Sequence, residues 1–330
     1  MDKCLMDFRE VSLNAKKVFG ESYIVEKIDR LYGGAQKGTY KVKCINGFEF
    51  VLYIWDERTS YFSKYEDKRD LFRTRGADLF LSNHRVFENN KVPVQNLYYI
   101  DMSKEIYGFD YAFVKYISGK EIEAYMNESE VYVKQLFMAL GDSIRKLHMI
   151  KRDYAGIIDE PQKEEFKCED YILSNVENDM NYLIKNCSEI ADNRNELKQS
   201  YISLYKNIKP RKEYVLIHGE LGPNHVLVDE SNDICIIDIE CAKYFDKEYE
   251  NSFLEFRFGD YYKYLKEENL DLDRMKFYKL SHHIGCLAGA VKLTKEEYYD
   301  MEDVNGMIKY NLEQILRSGG ENDNPLFDNN

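Results

Sequence analysis

The sequence predicts an α+β protein of two lobes: an antiparallel β lobe with one main helix, then a mostly helical lobe with an embedded β-hairpin. Three observations support this. Strand-like segments dominate the first third of the chain, helical periodicity starts near Ser129, and a strand-like island interrupts the helical part over 214–238. The chain has 330 residues, 44% of them apolar, which is enough for two lobes. We place the lobes at 1–116 and 117–330, because Ser118-Gly119 ends a strand-like segment just before the helical region.

In the first lobe, Asn46-Gly47 separates an alternating segment, 31–45, from the apolar run Phe48–Trp55. Asn-Gly between two such runs predicts a β-hairpin, since both central residues can adopt positive φ. The charged segment 64–90 is predicted to be a helix, and 91–100 and 111–117 are predicted to be two further strands.

In the second lobe, Leu136, Leu140, Ile144 and Leu147 recur at spacings of four and three, which places them on one helix face. Further helices are predicted over 165–186, 194–206, 273–293 and 295–317, and the strand-like island comprises 214–217, 226–229 and 234–238.

Composition excludes several classes of protein. The formal net charge is −13 and no dense Lys/Arg run occurs, which argues against a nucleic-acid partner. The acidity suits a cationic small substrate, although solubility alone explains it more simply. The seven cysteines are scattered and no C-x-x-C occurs, as in proteins of reducing compartments. With no apolar N-terminal segment and no run of membrane-spanning length, we expect a cytoplasmic protein without a membrane partner.

The segment that is most informative about chemistry runs from Ile217 to Asp238. A strand leads to Glu220 on a loop bounded by glycine and proline, and the return strand of a short hairpin ends at Asp238. Carboxylates and an imidazole placed in this way could orient an attacking hydroxyl and hold magnesium against phosphates. The alternative is that both acids belong to ordinary turns. We predict that Glu220 and Asp238 converge on one cation.

This segment resembles the H-G-D-x-x-x-x-N and I-D-F-G motifs of the aminoglycoside phosphotransferases, which are related to choline kinases and, more distantly, to protein kinases. The resemblance implies a bilobal protein-kinase-like fold and a nucleotide-dependent phosphotransferase. It places Glu220 at the catalytic aspartate, His225 at a magnesium-binding position, and Asp238 at the second magnesium ligand. His218 takes the place of a structural brace for the loop.

The resemblance extends to the nucleotide. Residues 33–42 resemble the glycine-rich loop over the phosphates, residues 112–119 resemble the hinge that binds the nucleobase, and 140–148 resemble the family's L-x-x-L-H helix. The implied ligands are Mg²⁺ with ATP or GTP, and a small hydroxylated acceptor that could be cationic. The implied nucleotide-binding residues are Gly33, Gly34, Gly38, Tyr40, Val42, Tyr53, Val114 and Tyr116.

For the acceptor, the resemblance indicates acidic residues after the hairpin, for which the simpler interpretation is a solvated helix face: Glu240, Asp246, Glu250 and Asp260. An aminoglycoside is one candidate acceptor; an amino alcohol, a sugar or a nucleoside fits equally well. His282-His283 lies on an apolar helix, where packing is the simpler interpretation.

Two positions depart from the family pattern. Glu220 replaces the catalytic aspartate, and Tyr53 stands where the family has its phosphate-binding lysine. Lys41 and Lys43 on the neighbouring strand are candidate replacements, although alternation places them opposite Tyr40 and Val42. These departures keep two alternatives open: a nucleotide-binding pseudokinase or regulatory module, and a magnesium-dependent nucleotide hydrolase.

Overall fold

A computed structural model describes residues 4–32, 36–65, 72–160, 166–296 and 298–319. In chain order, its strands are β1 (Val25–Arg30), β2 (Gly38–Cys44), β3 (Glu49–Trp55), β4 (Leu97–Asp101), β5 (Asp110–Lys115), β6 (Gly119–Glu121), β7 (Lys151–Arg152), β8 (Tyr214–Ile217), β9 (Val226–Asp229), β10 (Ile234–Ile236) and β11 (Lys243–Phe245). Its helices are α1 (Phe8–Phe19), α2 (Ala77–Asn89), α3 (Glu130–His148), α4 (Cys168–Asn186), α5 (Ser188–Asp192), α6 (Arg194–Lys206), α7 (Lys247–Phe258), α8 (Leu272–Leu293) and α9 (Met301–Gly319).

The chain divides into two compact units that differ from the predicted lobes. The first combines Met1–Ser143 with Pro223–Cys241, and the second combines Ile144–Gly222 with Ala242–Asn330. The difference arises because the hairpin β9–β10 pairs with β6, and Ile236 N donates to Pro93 O at 2.7 Å, so the hairpin folds as part of the first unit.

The first unit is built on a five-stranded antiparallel sheet with the order β1-β2-β3-β5-β4. The predicted hairpin is confirmed, but of the two turn residues only Gly47 has a positive φ (+84°), and the Asn46 side chain accepts a hydrogen bond from Phe48 N at 3.1 Å. The core under this sheet includes Val42, Phe50 and Phe113, each fully buried.

Two helices of the first unit differ from expectation. The amphipathic α1, which the sequence analysis did not predict, starts at an Asp7 capping box and packs Val11 and Ala15 into the core. The helix predicted over 64–90 begins only at Ala77, directly after Gly76 with φ +145°, a conformation that an α-helix cannot contain. Residues 66–71 lie outside the described part of the chain.

A second sheet of the first unit has the order β10-β9-β6. Gly119 in β6 is required by close packing, because a Cβ there would lie 1.8 Å from the carbonyl oxygen of Val228 on β9. Gly119, which the sequence analysis used to place the lobe boundary, is therefore needed so that the backbones of β6 and β9 can approach each other.

The second unit is mostly helical, as predicted, with a small sheet of order β11-β8-β7. Helix α8 is central and packs against α4, α6, α7 and α9. The predicted helix 295–317 begins later, at Met301, and the region of α7, which the sequence offered as a solvated helix face, forms a helix that buries Glu250. None of the seven cysteines, all of which are described, forms a disulfide bond. Among the described residues, no helix combines the length and apolarity needed to cross a membrane.

Candidate functional site

Asp238 lies two residues after the end of β10, in the first unit. Its φ is +61°, a left-handed conformation that is uncommon for a residue other than glycine and is often found at functional positions. Its Oδ2 lies 3.5 Å from His225 Nε2, and its side chain is 39% exposed. Ile237 N donates to His225 O at 3.0 Å, which fixes the two residues across the hairpin.

The pair of His225 and Asp238 suits a cation that takes its other ligands from water and phosphate. Two neighbouring ligands of an octahedral ion that binds at about 2.1 Å are roughly 3 Å apart, close to the observed separation. A carboxylate is a preferred magnesium ligand, whereas imidazole more often binds transition metals, so Asp238 is the stronger ligand of the two. Among the described residues, no group of three or more His, Cys, Asp or Glu side chains is arranged around one ion.

Lys37 is a residue of this region that the sequence analysis missed. Its Nζ donates to Asp238 Oδ1 at 2.5 Å and to Glu240 Oε1 at 2.6 Å. Its side chain is 8% exposed, and its Nζ lies 4.8 Å from the centroid of the Tyr53 ring. Burial lowers the pKa of the Lys37 ammonium, but the two carboxylates outweigh burial and the pKa is raised, so the ammonium stays charged.

The structure removes Glu240 from the set of acceptor-binding residues. Its side chain is only 4% exposed, and its Oε1 also accepts from Trp55 Nε1 at 3.1 Å. Its Oε2 is buried and has no hydrogen-bond partner among the described residues. Asn83 Nδ2 on α2 donates to the backbone carbonyls of Ile239 at 2.7 Å and Glu240 at 3.2 Å, which fixes this segment from outside the hairpin.

Neither of the two candidate replacements for the missing strand lysine lies beside Asp238. Lys41 pairs with Glu49 at 2.9 Å, and Lys43 pairs with Glu26 at 3.3 Å, both along the sheet. Tyr53 itself is buried, and its hydroxyl donates to Gln95 Oε1 at 2.6 Å. Asp78, near the start of α2, pairs with Arg73 at 2.8 Å.

The remaining predicted nucleotide-binding residues are placed as follows. Gly33 and Gly34 lie outside the described residues. Gly38, Tyr40 and Val42 lie on β2, Val114 lies on β5, and Tyr116 follows β5 with its ring 3.8 Å from Lys41 Nζ. The side chains of Tyr40, Val42 and Val114 are buried in the sheet, so these three could meet a nucleotide only through their backbone.

The second unit carries the loop that contains Glu220. The loop leaves β8 at Ile217, turns at Gly219 with φ +89°, and presents a half-buried Glu220. His218 is fully buried, and its ring Nδ1 accepts from Glu220 N at 3.4 Å, which is the kind of contact that a bracing residue makes. The conformation of the loop that carries Glu220 therefore depends on contacts made by His218, two residues earlier in the chain.

Glu250, predicted to contact an acceptor, instead supports this loop from α7. Its side chain is 1% exposed; Oε2 accepts from His218 N at 2.9 Å, and Oε1 accepts from Gly219 N at 3.1 Å. His148, the histidine of the Leu147-His148 pair, lies 3.1 Å from Glu250 Oε2 through Nε2, and its Nδ1 contacts Glu267. We assign Glu250 to loop positioning, because none of its carboxylate faces solvent.

The protonation states of this group follow from its burial and its partners. Burial lowers the pKa of His148, but the two carboxylates outweigh burial and raise it to about 9. Burial raises the pKa of Glu250, but the hydrogen bond and charge of His148 reverse that effect and lower it. His148 is therefore a cation and Glu250 an anion at neutral pH.

Asp246 is also removed from the acceptor-binding set. It is fully buried, pairs with Arg274, accepts from the Tyr278 hydroxyl at 2.5 Å, and lies 3.5 Å from Arg211. Burial raises the pKa of Asp246 to about 6, against the effect of the two arginines. Asp260, in contrast, is exposed at the end of α7, and it stays a candidate for acceptor binding.

The packing interpretation of His282 and His283 is confirmed. His282 Nε2 contacts Tyr249 O at 2.9 Å, and His283 Nδ1 contacts Asn311 Oδ1 at 2.9 Å. Burial lowers the pKa of His282 to about 3 and that of His283 to about 4, so both rings are neutral.

Lys37 gave a weak sequence signal, since a lysine in a glycine-rich loop is common on any surface. The β2–β3 register pairs Gly38 with Ile54 and Thr39 with Tyr53, so Lys37 comes immediately before the paired positions of β2 and near Trp55. A register drawn from the Asn46-Gly47 turn could have placed the lysine near Tyr53. It could not have placed Asp238 and Glu240 there.

Comparison with known proteins was made at the levels of sequence and structure. A search of curated protein sequences finds no match. Among solved structures, a thermostable mutant of aminoglycoside phosphotransferase APH(4)-Ia matches with a TM-score of 0.65 and 14% identity, over 94% of this chain and 100% of that chain. Spectinomycin phosphotransferase APH(9)-Ia, in complex with ADP and spectinomycin, matches with a TM-score of 0.62 and 15% identity, over 95% and 98%.

A third structure, LicA in complex with AMP, matches with a TM-score of 0.62 and 12% identity, over 94% of this chain and 98% of that chain. These likenesses confirm the predicted fold, an α+β architecture of the aminoglycoside-phosphotransferase type. The model of the phosphotransferase enzyme family matches residues 44–250, which is more than half of the 330-residue chain. On this match, the chain belongs to the phosphotransferase enzyme family, as the motifs around His218 and Asp238 had indicated.

Proposed function

We propose that this protein transfers the terminal phosphoryl group of ATP or GTP to a hydroxyl group of a small molecule, with Mg²⁺ as cofactor. The observation that carries the proposal is the half-exposed Asp238 carboxylate, whose Oδ2 lies 3.5 Å from His225 Nε2 on a left-handed backbone. Membership of the phosphotransferase enzyme family supports the reaction class.

In this proposal, Glu220 orients the acceptor hydroxyl and takes its proton as the oxygen attacks the terminal phosphorus. The bond from that phosphorus to the bridging oxygen breaks, and the nucleoside diphosphate leaves with the electron pair. Glu250 holds the backbone of His218 and Gly219, so the position of Glu220 depends on a carboxylate that does not itself meet substrate. Glu220 belongs to the second unit and Asp238 to the first.

Asp238 and His225 are the residues that would hold Mg²⁺, with Asp238 as the principal ligand. When bound, Mg²⁺ neutralises charge on the phosphate oxygens. The Asp238 side chain is half-exposed, Oδ2 lies 3.5 Å from His225 Nε2, and Oδ1 accepts from Lys37.

The acceptor is proposed only as a class. Similar structures carry spectinomycin with ADP, or hygromycin B with AMP-PNP, which makes an aminoglycoside one candidate. The net charge of −13 suits a cationic acceptor, and the exposed Asp260 is a carboxylate that could meet one. An amino alcohol, a sugar or a nucleoside satisfies the same chemistry.

The test is nucleotide consumption with Mg²⁺, measured with and without a panel of aminoglycosides, amino alcohols, sugars and nucleosides, with product phosphorylation followed by mass spectrometry. We expect phosphorylation of at least one acceptor, reduced at least about a hundredfold in Glu220→Gln and Asp238→Asn. The matched controls are Glu213→Gln and Asp233→Asn, which change exposed carboxylates of the same two units and should retain activity.

The alternatives give different results. Nucleotide binding without consumption, whatever the acceptor, would identify a pseudokinase. Consumption that no acceptor accelerates would identify a hydrolase. Phosphorylation that survives in Asp238→Asn would contradict the proposed site.

A further inference from the structure

We propose that Lys37 is the nucleotide-phosphate lysine of this protein, displaced from strand β3 to the end of the glycine-rich loop, and that Glu240 is its anchoring acid. This inference rests on the proposed function and adds the residue that the departure at Tyr53 left missing. It assigns Lys37 a direct contact with a phosphate of the bound nucleotide.

The position of Lys37 in the fold supports this assignment. Lys37 comes directly before β2, whose Thr39 is paired with Tyr53 across the sheet. Its Nζ lies 4.8 Å from the centroid of the Tyr53 ring, and the same Nζ contacts Asp238. A positive charge is therefore present beside the side chain at position 53, although the residue that supplies it lies just before β2 and not on β3.

A buried acid, Glu240, holds the Lys37 ammonium in place. Glu240 Oε1 accepts from Lys37 Nζ at 2.6 Å and from Trp55 Nε1 at 3.1 Å, in a buried position. Asp78, near the start of α2, pairs instead with Arg73. A lysine fixed by one buried carboxylate keeps its ammonium in a defined place, which is what a phosphate contact needs.

The hydrogen-bond donors of the Lys37 ammonium also support a phosphate contact. An ammonium group has three N–H donors, and the described contacts use two of them, one for Asp238 and one for Glu240. The lysine thereby connects a buried acid to the residue proposed to bind Mg²⁺, and a third donor remains for an oxygen of the nucleotide. A hydrogen bond from an ammonium group to an anion is charge-assisted and therefore stronger than one from a neutral donor.

The experiment measures binding of ATP, GTP and the matching nucleosides by calorimetry, with EDTA in place of Mg²⁺ so that metal ligation does not contribute. We expect Lys37→Met to weaken triphosphate binding about ten- to a hundredfold, since a charge-assisted hydrogen bond is lost. Binding of the nucleoside, which has no phosphate, should be unchanged. Lys43→Met, in the partly exposed pair with Glu26, is the matched control and should bind the triphosphate as the unmodified protein does.

Relocation of the charge gives a positive test. In the Lys37→Met background, Tyr53→Lys should restore much of the triphosphate affinity, because the new ammonium starts beside the same carboxylates. Tyr53→Met in that background is its control, since it loses the same Gln95 contact without adding a charge. Equal affinity of these two double variants would overturn the proposed position.

Loss of Lys37 also leaves Glu240 buried without its cation, which could destabilise the fold. The variant Lys37→Met with Glu240→Met removes both charges and should recover the midpoint of unfolding while triphosphate binding stays weak. Recovered binding in that variant, or a Lys37→Met effect seen only with Mg²⁺, would overturn the phosphate contact. If the unmodified protein binds no nucleotide, the proposed function itself fails; if it binds and Lys37→Met binds equally, only this inference fails.

Discussion

Two buried clusters of charge, one in each unit, support the two loops proposed to act in catalysis. The Lys37 cluster comprises Lys37, Asp238 and Glu240, and the Glu250 cluster comprises His148, Glu250 and Glu267. In each, a glutamate that is almost fully buried meets a cation from a distant part of the chain. The sequence resemblance placed both glutamates at the acceptor, and the structure gives both a supporting role.

The clusters differ in what the glutamate holds. Glu240 holds the side chain of a lysine, whereas Glu250 accepts hydrogen bonds from two backbone N–H groups of the Glu220 loop. A backbone contact depends little on which side chains the loop carries, while a side-chain contact is lost when one residue changes. The lysine proposed to bind phosphate can therefore come from a different part of the chain, here from just before β2, whereas the loop that carries Glu220 keeps the positions of the family motif.

The two clusters also differ in how the charge of their cation depends on pH. The raised pKa of Lys37 keeps it charged through neutral and mildly alkaline pH, whereas His148, with a pKa of about 9, loses its proton there. In the second unit, the cation of the buried cluster, His148, therefore loses its charge at mildly alkaline pH, whereas Lys37 in the first unit keeps its charge. The predictions below test this difference.

The largest effect is expected for Glu250→Ala. It leaves the buried, charged His148 with Glu267 alone as its counter-charge, and it leaves His218 N and Gly219 N without their acceptor, so the free energy of unfolding should fall by about 3–5 kcal/mol. Phosphoryl transfer should be lost with it, because Glu220 follows these two residues. Chemical denaturation and acceptor phosphorylation measure the two effects.

Two variants sharpen this prediction. Glu250→Gln keeps the shape and one carbonyl acceptor, so it should lose less stability than Glu250→Ala. Glu213→Ala changes an exposed carboxylate paired with Lys151, and its effect should stay within about 0.5 kcal/mol. Normal stability of Glu250→Ala would show that the loop does not depend on this carboxylate.

The second prediction concerns pH. A pKa raised to about 9 in the folded state means that the folded protein binds the His148 proton more tightly than the unfolded chain, where the pKa is about 6.5. This stabilisation is fully present below about pH 6.5 and is lost as the pH rises through about 9. It amounts to roughly 3 kcal/mol, and the Lys37 cluster makes no such contribution in that range.

The measurement is the midpoint of urea unfolding between pH 6 and 9.5. The midpoint of the unmodified protein should fall across this range, and that of His148→Gln should start lower and change less. A parallel decline in both proteins would assign the pH dependence to other groups.

The sequence predicted the architecture because strand alternation, helical periodicity and the Asn46-Gly47 turn are local signals. It placed the beginning of α2 too early, because the charged sequence around Gly76 does not reveal that this glycine has φ +145°. It offered the region of α7 only as a solvated helix face, whereas the helix buries Glu248, Glu250 and Asn251, so no apolar stripe marks its buried face.

The site was predictable to the extent that its residues are adjacent in the chain. His218, Glu220, His225 and Asp238 belong to one motif, which the family resemblance covers. Lys37 lies 201 positions from Asp238, and His148 lies 102 positions from Glu250, so only the folded structure pairs them. The roles of Glu240 and Glu250 were misjudged for this reason: an acid in a polar segment is expected to be exposed unless its buried partner is known.

The smallest effect is expected for Asn83→Ala, which tests whether the segment after Asp238 needs support beyond Lys37. The change removes two hydrogen bonds from Nδ2 to the carbonyls of Ile239 and Glu240, but it also removes a buried Oδ1 that has no partner among the described residues. The losses and the gain partly cancel, so the free energy of unfolding should fall by only about 1 kcal/mol. Asn90→Ala, at the exposed C-cap of the same helix, is the control and should change it by less than about 0.5 kcal/mol. If Asn83→Ala instead weakened Mg²⁺-nucleotide binding as much as Lys37→Met, the position of Asp238 would depend on α2 as much as on the lysine, and the contrast between the two clusters would have to be redrawn.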